Sequence, residues 1–305
     1  KNLKTENIYH SSAIKVYSHL LTTFFSSMQA DYANKKPVSL LNNAPLRVLL
    51  DKVINYGRID NCIRQGYLSA ISVTASSYNS GDSISFYQSA KHLMPWSRAK
   101  RRGQPSQINS EHLLASSAIP LVFPSTKIGK EHFGDGSIHQ LAPLSPAIHL
   151  GAEKIFVVGV EQPQEDYTFH DNNPHPPNSA TIAGHLLDTI FTDTLNSDLE
   201  RMHRINSTLE LINENGIEPP SQLKPIESFV LNPSHDFNLI ANQFYDELPV
   251  AIRLLLKTTG VKLNSESSLL SYLLFDNSYC KQLIKLGFED AMNHESQIKE
   301  FLTLD

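Results

Sequence analysis

The segment Ala115-Ser116-Ser117-Ala118-Ile119-Pro120-Leu121-Val122-Phe123-Pro124 is followed, eleven residues after Pro124, by Asp135-Gly136-Ser137. No other feature constrains the chain as much. An apolar stretch of this length is material for a core, and an acidic residue between Gly134 and Gly136 reads as a tight turn at its edge. Together they hold a carboxylate rigidly beside a pocket. The two glycines predict close backbone approach and positive φ. Asp-Gly alone is a common turn pair, so the flanking segment is what gives the carboxylate functional weight. No G-x-S-x-G occurs in the sequence. A serine for this carboxylate to serve is therefore not carried on a nucleophile elbow here.

The 305 residues suffice for one large or two modest domains. At 40% hydrophobic and 19% charged, the chain reads as globular rather than disordered. A net charge of −5 argues against a nucleic-acid binder, which usually carries a basic face. Cys62 and Cys280 form no C-x-x-C pair, so they read as free thiols in a reducing compartment. No apolar run reaches the ~18 residues of a spanning helix. Lys1 to Glu6 lack the apolar core of a signal peptide. A cytoplasmic or peripheral-membrane location follows as the expectation. The chain begins at Lys1 rather than methionine, which reads as a fragment or a processed product.

Periodicity organises the rest. Apolar groups spaced three to four apart from Ile14 onward predict a helix, and Pro45 opens another. Leu68 to Ser76 reads as a strand, Asn79-Ser80-Gly81-Asp82 as its turn, and Ser83 to Tyr87 as the hairpin partner. Ile155 to Val160 reads as a buried strand of an α/β sheet. The polar, proline-rich Asp171 to Ser179 reads as a linker, the long stripe from Ile182 to Leu209 as a core-packing helix, and Ser228 to Leu231 as a further strand. From Phe237 the pattern is again helical. The expected fold class is α/β, with a central, mostly parallel sheet flanked by helices and a mainly helical C-terminal extension. The expected boundaries are a first domain over 1–165, a linker over 166–179 and the helical extension over 180–305.

Ala-Ser-Ser-Ala-Ile-Pro, then Phe133-Gly134-Asp135-Gly136-Ser137, then Pro143-Leu144-Ser145-Pro146-Ala147-Ile148-His149-Leu150-Gly151-Ala152 resembles the second half of a patatin-like phospholipase domain. The resemblance covers roughly residues 40–165. Leu231-Asn232-Pro233-Ser234 and Leu270 to Phe275 also resemble the helical extension of a bacterial subgroup of that family. The resemblance makes 1–165 the C-terminal portion of a catalytic domain and implies a lipid acyl hydrolase built on a serine–aspartate dyad. In such a dyad a carboxylate takes the proton of a serine that is otherwise a poor nucleophile. Asp135 matches the family's aspartate and would be the general base, with Gly134, Gly136 and Ser137 supporting the turn. The family usually has glycine or alanine where this chain has Ser137. A lipid ester is the implied substrate, and the dyad implies no metal or organic cofactor. The family's nucleophile elbow and oxyanion loop lie upstream of the matched motifs, so residues 1–305 alone are expected to be inactive.

Other readings stand beside this one. The chain reads alternatively as a non-catalytic lipid- or protein-binding relative, or as an α/β scaffold in which Asp135 only turns the chain. Ser116 and Ser117 lack a glycine elbow and read as capping or starting a short helix. His112, His132, His139 and His149 match neither H-E-x-x-H nor a finger pattern and read as hydrogen-bonded or surface histidines. Arg98-Ala99-Lys100-Arg101-Arg102 beside Trp96 reads as a solvated loop or as a contact for anionic lipid headgroups, each charge contributing ~1 kcal/mol near such a surface.

Overall fold

The computed structural model describes residues 3–28, 39–90, 93–161, 179–217, 223–259 and 269–302. The chain divides into two compact units. One comprises Glu6–Ala152 with Ser197–Leu199. The other comprises Lys1–Thr5, Glu153–Asn196 and Glu200–Asp305.

The first unit is a mixed sheet with helices. Its strands are β1 (Ala70–Ser77), β2 (Ser83–Ser89), β3 (Ser97–Arg98), β4 (Arg101–Pro105), β5 (Thr126–Ile128) and β6 (Glu131–Asp135), in the order β3-β4-β2-β1-β6-β5. Around it lie α1 (Ala13–Met28), α2 (Ala44–Val53), α3 (Gly57–Arg64), α4 (Ser110–Ser116) and α5 (Ser145–His149). The α/β class is as expected, but the mostly parallel sheet is not what these strands form. Within this sheet only β2 and β4 run parallel. The reason is connection length. A turn of five residues between Ser77 and Ser83, with Gly81 at φ 68°, returns the chain antiparallel, as does the turn at Gly129 (φ 61°) between β5 and β6.

Period-2 alternation fixes which face of β1 is apolar. Ile71, Val73 and Ala75 point to a core that also holds Ile84, Phe86, Ile108, Ala115 and Phe133. Phe86 meets Phe133 edge-on at 5.3 Å between centroids, and His112 at 4.7 Å. Burial of an aromatic side chain of this kind contributes roughly 1.5–3 kcal/mol. The opposite face of β1 carries Ala70, Ser72, Thr74 and Ser76. In α1, Val16 is buried, while Ile14 and Tyr17 are exposed. The periodicity located that helix, whose first apolar residue, Ile14, faces outward.

In the second unit, β7 (Lys154–Val158) and β8 (Glu227–Leu231) pair in parallel across the 36-residue helix α6 (Ser179–Glu214). This length of crossover is what parallel pairing requires. Phe156 and Phe229 stack at 5.4 Å on this small sheet, and Phe301 packs against both. Helices α7 (Phe237–Asn242), α8 (Val250–Thr259), α9 (Leu269–Leu273), α10 (Asn277–Asn293) and α11 (Glu295–Leu302) follow. Asp236 and Asp276 cap α7 and α10 by accepting backbone N–H groups. The compact units divide after Ala152, so β7 joins the α6–β8 unit, whereas the sequence grouped it with residues before 165. The linker expected over 166–179 lies outside the described residues apart from Ser179, which begins α6. Of the stripe on α6, Met202 and Leu209 are buried and Ile182 and Ile205 exposed. The side chains of Leu186, Leu187, Ile190 and Phe191 lie outside the described residues. Among the described residues no helix is long and apolar enough to cross a membrane.

Candidate functional site

Asp135 is the last residue of β6, opposite Ala75 of β1. Cross-strand partners share a face, so its side chain lies on the Phe133 side of the sheet, under the end of α4. Only 7% of the residue is exposed. Its backbone N–H donates to the Ala118 carbonyl at 3.0 Å. The two motifs of the sequence, Ala-Ser-Ser-Ala-Ile-Pro and Asp-Gly-Ser, are thereby joined directly. Asp135 Oδ1 accepts the Ser137 N–H at 3.0 Å and the Ser137 hydroxyl at 2.7 Å. Among the described residues Oδ2 has no hydrogen-bond partner. Burial pushes the carboxyl above the ordinary carboxylate range, and the two Ser137 bonds oppose that rise.

The turn that follows is a single 3-10 turn, Gly136–Ile138, with Asp135 as its N-cap. The glycines are needed for space. A Cβ on Gly134 would sit 2.4 Å from the Tyr78 hydroxyl, and one on Gly136 would sit 2.5 Å from the Thr74 carbonyl oxygen. Neither glycine has positive φ, contrary to expectation, because Gly134 lies in the extended strand β6 and Gly136 in a 3-10 turn of the right-handed region. The Ser137 hydroxyl supplies one of the two hydrogen bonds on Asp135.

Sequence reasoning missed two residues of this site. Ser76 is fully buried; its hydroxyl donates to the Gly136 carbonyl at 3.0 Å and accepts the His139 N–H at 3.1 Å. It braces the turn from β1. Tyr78 is half-exposed, and both burial and the Asp135 charge push its phenol upward. The available signal was the alternation of Ser72, Thr74 and Ser76 with apolar residues, which marks a polar sheet face.

That polar face forms one wall of a cavity of about 590 Å³, lined by Ser72, Thr74, Gln140, Pro146, Ala147 and Leu150 among others. The Ser72 hydroxyl there is buried and has no hydrogen-bond partner among the described residues. Asp135 does not line this cavity. The strand register puts the carboxylate and the cavity on opposite faces of β1.

Ser116 and Ser117 end a helix rather than start one. Asn109 is the N-cap of α4, accepting the Glu111 and His112 N–H groups, while the Ser117 hydroxyl donates back to the Leu113 carbonyl at 2.9 Å. His112 belongs to that cap, with Nδ1 accepting the Asn109 N–H at 3.2 Å. Burial lowers its pKa. His132 Nδ1 lies 3.4 Å from the Ser125 hydroxyl. His139 keeps a buried Nδ1 with no hydrogen-bond partner among the described residues. His149 stacks on Trp96. Among the described residues no three of His, Cys, Asp and Glu are placed to hold a metal ion.

No family model matches the chain, and no curated protein or solved structure matches it.

Proposed function

We propose that this chain carries the acidic half of a patatin-like serine–aspartate dyad that cleaves lipid esters. The observation behind the reading is the state of Asp135. It is a buried carboxylate with one oxygen fixed by Ser137 and the other unengaged among the described residues. An oxygen held in place but not neutralised is what accepting a serine proton requires. The link from Ala118 to Asp135 supports the motif pairing on which the resemblance rests. In this reading the serine and the backbone donors for the oxyanion come from a segment other than residues 1–305, because the sequence has no G-x-S-x-G. The basic hairpin β3–β4 contacts anionic headgroups at a membrane surface.

A second reading has its own observation. The bond from the Ser137 backbone N–H is that of an N-cap, so Asp135 can serve the turn alone. Asp135→Asn separates the two, since Asn keeps the capping oxygen and loses the base. The test is fluorophosphonate labelling of the full-length protein, with Asp135→Asn alongside. Serine labelling that disappears in the variant while the fold is kept supports the dyad. Labelling unchanged in the variant, or none where a control hydrolase reacts, overturns it.

A further inference from the structure

Like charges directly opposite each other on neighbouring strands destabilise the pair. β3 and β4 place Arg98 opposite Arg101. Among the described residues neither guanidinium has a carboxylate within ion-pair distance. Arg98 donates to the neighbouring Ser97 carbonyl at 3.3 Å. The neighbouring Arg102, by contrast, pairs with Asp82 at 3.0 Å. The hairpin keeps two unneutralised cations side by side, with exposed Lys100 (φ 59°) at its turn.

Register shows where they face. Arg101 pairs with Ser83, Gly103 with Ser85 and Pro105 with Tyr87 on β2. Ser83, Ser85 and Tyr87 pair in turn with Ser76, Thr74 and Ser72. The arginines therefore share a sheet face with the wall of the 590 Å³ cavity. On that face Trp96 lies over Gly103, where a Cβ would come within 2.3 Å of its ring. The indole is sandwiched between Tyr87, at 5.0 Å, and His149, at 4.8 Å, with interplanar angles of 23° and 20°. His149 sits in sequence between Ala147 and Leu150, both cavity residues. Burial lowers the pKa of His149, and the charges of Arg98 and Arg101 lower it further. Three basic groups thus gather beside the cavity, and among the described residues none of the three is paired with a carboxylate.

The geometry points to a phosphate-recognition site formed by Arg98, Arg101 and His149, for a phosphate ester whose organic part extends over the Trp96 stack toward the cavity. Two guanidinium forks match phosphate oxygens, and imidazolium supplies a third donor once the anion is bound. The site deepens the headgroup contact proposed above and is independent of the role of Asp135. A lipid headgroup and a soluble phosphate ester present the same chemistry to it.

Trp96 is the only tryptophan of the chain, and it touches His149. Its fluorescence titrated against pH therefore reports protonation of that imidazole. The probes are glycerol 3-phosphate and phosphatidylglycerol/phosphatidylcholine vesicles, with pure phosphatidylcholine vesicles as control. Bound phosphate offsets the arginine charges, so the midpoint moves upward. In Arg98→Gln/Arg101→Gln the unliganded midpoint is already higher, the ligand-induced shift disappears, and affinity falls roughly tenfold or more. A response to glycerol 3-phosphate assigns a soluble ester, and a response to the anionic vesicles alone assigns a lipid headgroup. No shift with either probe, or an equal shift in the double variant, overturns the site. Both arginines are solvent-accessible, and far-UV circular dichroism checks that the variant is folded. Fluorophosphonate labelling is unaffected by this outcome, so failure here leaves the dyad to its own test.

Discussion

Gly136→Ala is expected to weaken the first unit far more than Gly134→Ala, although both replace a glycine flanking Asp135. A Cβ at position 136 would lie 2.5 Å from the Thr74 carbonyl oxygen. That is about 0.8 Å inside the shortest ordinary C···O contact of about 3.3 Å. The carbonyl cannot retreat, because β1 is hydrogen-bonded to β2 on one side and β6 on the other. Nor can Gly136 retreat easily, since its own carbonyl accepts the Ser76 hydroxyl at 3.0 Å. Overpacking against fixed backbone costs about 1–3 kcal/mol. At position 134 the obstacle is the Tyr78 ring, whose hydroxyl would lie 2.4 Å away. Tyr78 is 50% exposed and can rotate outward. Alanine also regains the roughly 0.5–1 kcal/mol that glycine loses inside a strand. Urea unfolding followed through Trp96 and far-UV circular dichroism measures both. The expected result is a clear drop in midpoint for Gly136→Ala and a change within about 1 kcal/mol for Gly134→Ala. A Gly136→Ala protein as stable as the parent, or a larger loss at 134, would refute the reasoning.

Asn109→Ala removes the acceptor for the Glu111 and His112 N–H groups and should cost about 1 kcal/mol, with Asn109→Asp close to neutral; urea midpoints compare the two. His112 is held neutral by burial, so the unfolded chain protonates first as pH falls below about 6.5. Stability should decline on acidification through that window, and His112→Gln should flatten the slope. Asp135 acts with the opposite sign, because burial raises its folded pKa and the native state then binds the proton more readily. Its contribution should grow as pH falls from the raised folded value toward the ordinary 3.8. Asp135→Asn should abolish that dependence without loss of stability at neutral pH, in unfolding curves taken across the pH range.

Much of the site was legible before any coordinates. Asp135 and its glycines stood out because a short acidic turn after an apolar segment is a local pattern. The β1–β2 hairpin was legible for the same reason, since Asn79 to Asp82 set its turn. Ser76 and Tyr78 were not, because they act across strands on residues more than fifty positions away. The pairing of Arg98 with Arg101 was visible as a run of charge but not as a cross-strand pair without a carboxylate.

Local spacing of apolar, glycine and turn residues located the β1–β2 hairpin, the strands β7 and β8 and the helices α1 and α6, and marked the acidic turn at Asp135. Those choices depend on neighbours within a few positions, so the sequence alone determines them. Strand order, the antiparallel majority of the first sheet and the pairing of β7 with β8 were settled only by the tertiary structure. So was the placement of the cavity on the face of β1 opposite Asp135. Each depends on which distant segments bury one another's surfaces, and that balance belongs to the whole chain rather than to any stretch of it.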